Sequence, residues 1–103
     1  MTDEEAVRRA MGGDTDAIAL VLARADEGAD TDLLTMAALL EQRDDRLAAA
    51  EVLALTSRQR QVVAIARAHL RGEGGLVDAL ARDHLVDFPD SLIVAWIAAA
   101  SAG

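Results

Sequence analysis

The chain has 103 residues, of which 52% are hydrophobic, 18 are acidic and 10 are basic, giving a formal net charge of −8. That length and apolar content suffice for one domain with its own core, while the acidity opposes nucleic-acid binding, which needs a cationic surface to displace counterions. Cysteine is absent, which excludes disulfides, thiolate nucleophiles and cysteine-bearing metal centres. The acidic start "MTDEEAVRRA" lacks the positive leader and apolar core of a secretory signal. The longest apolar run, Leu92 to Ala100, falls well short of the roughly 20 residues of a membrane-spanning helix. A soluble, cytoplasmic protein is expected, with no membrane and no nucleic acid among its partners. Every basic residue is arginine, and lysine, asparagine and tyrosine do not occur. This bias reads as the imprint of a GC-rich bacterial genome.

Apolar residues recur at helical spacing almost throughout, and no stretch alternates as a strand would. An all-α chain of about seven helices is predicted. The first covers Asp3 to Met11 and is stopped by "GGD", with Asp14 as the next N-cap. Ile18, Val21, Leu22 and Ala25 form the stripe of the second, which stops at Gly28. The third runs from Thr31 to Gln42 on Leu33, Met36, Ala37 and Leu40. After "RDD", an alanine-rich fourth helix spans Asp45 to Leu55. Thr56 and Gln59 have capping-box spacing and open a fifth, whose inner face is Val62, Ile65, Ala66 and His69. The sixth, from Leu76, places Val77, Leu80, Ala81, His84, Leu85 and Phe88 on one side. Pro89 breaks it, and Asp90 or Ser91 caps a seventh reaching Ser101. Short connections make neighbours antiparallel, with hairpins starting near Asp3, Thr31 and Ser57 and a lone helix near Ser91.

The segments "LTSRQRQVVAIARAHLRGE" and "ALARDHLVDFPDS" resemble the tetratricopeptide repeat superfamily and, more narrowly, bacterial tetratricopeptide repeat protein thirty-eight-like proteins. The residues that carry the resemblance are Leu55, Thr56, Arg58, Arg60, Gly72, His84, Leu85, Phe88 and Pro89, over about half the chain. Gln59 stands where a glutamate is usual, and the inter-helix turn has an additional Gly-Gly. The resemblance implies a short right-handed stack of helical hairpins with a scaffold role, and it carries over no catalytic group because the motif residues are packing residues. The opening of the fifth helix also looks like the first helix of LuxR-type helix-turn-helix domains. That likeness stops there, since the helices that follow are acidic and then apolar, unlike a basic recognition helix.

Few residues offer chemistry. His69 and His84 are separated along their helices by about 9 Å and are expected as separate core-edge rings bonded to a carbonyl or water. The acids of "DEGADTD" and "RDDR" lack the ligand spacing of a calcium loop and read as caps and solvated charges. "GEGG" reads as a turn. On the fifth helix, Arg60, Arg67 and Arg71 form a cationic stripe opposite the apolar face, suited to carboxylates of a partner peptide through forked contacts. The last helix is apolar around its circumference, so a second cover is expected. A homodimer or docked protein would provide it through Ile93, Trp96 and Ile97. The resulting expectation is a non-catalytic protein-interaction module without metal or cofactor. An enzyme or small-ligand binder with an inter-hairpin pocket, using His69 or His84, is the alternative.

Overall fold

In a computed structural model, which describes residues 1–28 and 30–102, side chains mark where the backbone enters most helices. Helix α1 (Asp3–Met11) begins at Thr2, whose hydroxyl accepts from the Glu5 N–H at 3.1 Å. Its acids fill the first turn and its arginines the last, the order that the helix dipole favours. Asp14 and Asp30 each accept two N–H groups at the starts of α2 (Thr15–Ala25) and α3 (Thr31–Glu41). Helix α4 spans Asp45–Leu53. A complete capping box opens α5 (Ser57–Leu70), with the Gln59 carboxamide accepting from Thr56 N–H and the Thr56 hydroxyl from Gln59 N–H. Then follow α6 (Gly74–Asp87) and α7 (Leu92–Ala102).

Helix starts and order agree with the sequence reading, apart from small shifts at the ends. Helix α6 starts two residues early, at Gly74. The α3–α4 turn has no glycine; instead Gln42 adopts φ 56° and Arg43 N–H closes back on Ala38 O at 3.1 Å. Gly28, φ 71°, performs the same reversal after α2 without a Cβ to strain.

Helices α1/α2, α3/α4 and α5/α6 pair as hairpins, and α7 packs on both α5 and α6. The odd-numbered helices also touch in sequence, α1 to α3, α3 to α5 and α5 to α7. The architecture is thus an all-α array of stacked hairpins closed by a single helix. One buried cluster takes residues from every helix, including Ala6, Val21, Met36, Leu47, Ile65, Val77 and Ile97.

The helix enclosed on nearly all sides is α3. Thr31, Leu33, Leu34, Thr35, Met36, Ala37, Ala38 and Leu39 are all buried, because α1, α2, α4 and α5 pack around it. Its interior hydroxyl is satisfied, Thr35 Oγ donating to Thr31 O at 2.7 Å. Arg46 joins the ends of three elements, reaching Asp26 and Glu41 at 2.7 Å each.

Helix α4 separates core from surface cleanly: Leu47 is fully buried, whereas Val52 is 82% exposed. Leu47→Ala is expected to cost about 2–5 kcal/mol of unfolding free energy, since a cavity adds to the lost transfer energy. Val52→Ala should change it by no more than about 0.5 kcal/mol. Urea unfolding of both variants checks this contrast.

Candidate functional site

Helix α5 has an inner and an outer side, and the cationic stripe lies on the outer one. Arg60, Ala64 and Arg71 are exposed there, and Arg67 is half-buried because it pairs with Glu51 of α4 at 2.7 Å. Among the described residues Arg60 and Arg71 are the arginines without an ion pair; the other eight are paired. The Glu51–Arg67 pair sets this stripe beside the outer face of α4. Ala48, Ala49, Val52, Leu53 and then Leu55 are exposed there, the last 81% so. Sequence reading found the arginines and overlooked the ridge, although Ala48, Ala49 and Val52 share one helical side by spacing alone.

The last helix departs from expectation. Ile93 and Ile97 are 6% and 0% exposed, covered by the chain's own α5 and α6. They are core residues, which removes them as an oligomer contact. Trp96 is half-buried and alone of the three keeps surface to offer. The outer side is largely alanine, with Ala95 and Ala99 exposed. A methyl group in water costs little, so α7 needs no second cover on the scale that its composition suggests.

Helices α1, α3, α5 and α7 all begin close together. Their first turns enclose a cleft of about 470 Å³, lined by Asp3, Glu4, Asp30, Asp32 and Asp90 together with one guanidinium, Arg58. Most of these acids are already engaged. Asp3 pairs with Arg24, Glu4 with Arg8 and Asp90 with Arg58, while Asp30 caps α3. Asp32 has no such partner among the described residues. Burial and the neighbouring Asp30 raise its pKa, with Arg58 opposing.

Beside the cleft lies a polar cluster drawn from three separate stretches. His84 is 1% exposed, and its two ring nitrogens are both engaged. Nδ1 is 2.7 Å from Gln61 Oε1, and Nε2 is 2.9 Å from Ser91 Oγ. The carboxamide oxygen can only accept, so Nδ1 donates to it and Nε2 is the acceptor of the Ser91 hydroxyl proton. Phe88 packs its ring 5.0 Å from the imidazole, and Arg58 lies 5.2 Å over the far ring. Burial, with Arg58 adding to it and Asp87 opposing, lowers the His84 pKa. The neutral ring is the form that the fold favours.

His69 belongs to a different environment, with Nδ1 3.0 Å from the exposed Ser101 hydroxyl. The structure therefore keeps the two histidines on separate partners. No grouping of three or more metal-ligating side chains occurs among the described residues. The sequence marks neither Gln61 nor Ser91 as a partner of His84, in place of the carbonyl or water expected there. Gln61 sits one position before the apolar stripe of α5, and Ser91 has the position of a helix cap.

Comparison of the chain with protein-family models, with curated proteins and with solved structures finds no match. Among the described residues no helix is long and apolar enough to cross a membrane.

Two titrations check the electrostatics. The His84 ring should titrate below the ordinary value of 6.5, as read from its ring-proton NMR shifts. Its stabilising contribution is then present above the unfolded pKa and lost as pH falls through the lowered folded one. For Asp32 the sign reverses: a raised folded pKa means that ionisation costs stability as pH rises through it. Asp32→Asn should raise Tm at pH 7, and the gain should vanish below the unfolded value of 3.8.

Proposed function

We propose that the chain is a protein-association module of tetratricopeptide-like type, working in the cytoplasm, and that the outer face of α4 and α5 is its docking surface. The observation that carries this reading is the apolar ridge Ala48, Ala49, Val52 and Leu55 beside the two unpaired arginines, Arg60 and Arg71. An acidic protein that pairs its other arginines and leaves two on one exposed helical side has a cationic stripe that no acid among the described residues neutralises. Hairpins stacked through successive odd-numbered helices support the module type, since such arrays present rigid, extended faces.

Magnitudes select the partner. Burying Val52 and Leu55 on association is worth about 1.5–3 kcal/mol each. Association costs an estimated 4–15 kcal/mol in lost freedom, so the ridge alone does not hold a partner. Forked contacts from Arg60 and Arg71 to carboxylates supply the remainder and fix orientation. The fitting ligand is an amphipathic helix with small and branched apolar residues on one side and acids along its edge. The sequence-based homodimer through α7 loses Ile93 and Ile97 to the core, leaving only Trp96 to support it.

Selection from a displayed library of amphipathic helical peptides of varied edge charge tests this reading. Enriched sequences should carry Asp or Glu beside an apolar stripe and bind in the micromolar range. Val52→Asp should abolish binding, and Arg60→Glu with Arg71→Glu should weaken it at least tenfold without changing Tm. Enrichment of cationic peptides, or binding indifferent to these variants, would overturn it.

A further inference from the structure

We propose that Ser91, His84 and Gln61 form a nucleophile, general base and positioning group for hydrolysis of small uncharged or cationic carboxylic esters at the wall of the 470 Å³ cleft. This goes beyond the association reading and uses a different part of the molecule. Helix α5 supplies Gln61, α6 supplies His84, and the residue entering α7 is Ser91.

The geometry meets the requirements of an activated serine in turn. The hydroxyl oxygen lies 2.9 Å from Nε2, within reach for proton transfer. The Gln61 oxygen, 2.7 Å from Nδ1, holds the tautomer in which Nε2 is free to accept, the role that the third group plays in such sets. A buried ring kept neutral is a competent base at neutral pH. Ser91 and Leu92 line the cleft. The first-turn N–H groups of α7, directly after Ser91, lack intrahelical acceptors and can donate to an oxyanion forming on the substrate. The charged groups near the ring are Arg58, Asp83, Asp87 and Asp90. Carboxylates on the cleft wall repel an anionic substrate, which sets the substrate class. Ser91 is only 5% exposed, which limits the acyl group to a small one.

In the acylation step the Ser91 proton passes to His84 Nε2 while Oγ bonds the ester carbon. The carbon–oxygen bond to the alcohol then breaks, and that oxygen takes the proton from Nε2. Water repeats the sequence on the acyl-serine, its proton passing through Nε2 to Oγ, and releases the carboxylic acid. The sum is ester plus water giving acid plus alcohol.

The test uses the full chain with p-nitrophenyl acetate, and phenylmethanesulfonyl fluoride as label. An acetyl or sulfonyl adduct should map to Ser91, and Ser91→Ala should abolish it. His84→Gln should slow acylation by about 10²-fold or more, with His69→Ala unchanged. Gln61→Glu should move the acid limb of the pH–rate profile to higher pH, because a carboxylate at Nδ1 favours the imidazolium; a merely structural glutamine would leave the limb in place. If His84→Gln does not fold, the Gln61→Glu profile decides. Absence of an adduct on Ser91 in the folded protein, an adduct rate unchanged in folded His84→Gln, or an unmoved acid limb would each overturn the proposal.

Discussion

Enclosure of α3 is the constraint from which the rest of the array follows. A helix buried from Thr31 through Leu39 apart from Asp32 must be covered on nearly all sides, and here one hairpin precedes it while its own hairpin and the next continue beyond it. That order makes every odd-numbered helix run in the same direction. Four helix starts then share one end, and with them the capping acids that helix starts prefer. The acidic cleft is thus a consequence of packing and capping. Its carboxylates, mostly engaged by Arg8, Arg24, Arg58 and the α3 N–H groups, are first of all structural.

Charge is accordingly distributed by topology. Five acids line the cleft, and most arginines go to pair with acids near them, several within a single helix. These exposed pairs are each worth only about 0–1 kcal/mol, but together they neutralise most of the cationic surface. Among the described residues, what remains unpaired, Arg60 and Arg71, lies on the outer side of α5. A net charge of −8 therefore coexists with a local face able to accept carboxylates.

Local chemistry was legible in the sequence, and long-range convergence was not. Thr56 and Gln59, Asp14, and the glycines after α1, α2 and α5 act over three or four residues, so spacing alone reveals them. Apolar stripes identified the inner faces of α2, α5 and α6 for the same reason. The expectation of a second cover over α7 overstates its need for burial because alanine counts as apolar in composition yet tolerates water: α7 leaves Ala95 and Ala99 outside, while α3, central in the array, buries even Thr31 and Thr35. Gln61, His84 and Ser91 escaped because their meeting depends on the axial register of three helices. A polar residue one position outside an apolar stripe was the only local sign, and solvent-facing glutamines give the same sign.

Helix α5 carries both surfaces, and its geometry separates them. Its start and inner flank supply Thr56, Arg58 and Gln61 to the cleft and the histidine cluster, and its outer side presents Arg60, Ala64 and Arg71. Residues on the outer side touch water and can change without opening a cavity. On the inner flank, by contrast, Gln61 and Ser91 satisfy a ring that is almost wholly excluded from solvent, and removing either leaves a buried nitrogen without its partner, a cost of about 1–3 kcal/mol. The proposed reactivity would therefore be joined to stability at His84, whereas the proposed docking on the α4–α5 face would be free of the fold. For that reason substitution of the outer arginines reports on association alone, while any variant in the histidine cluster must be read against its own unfolding curve.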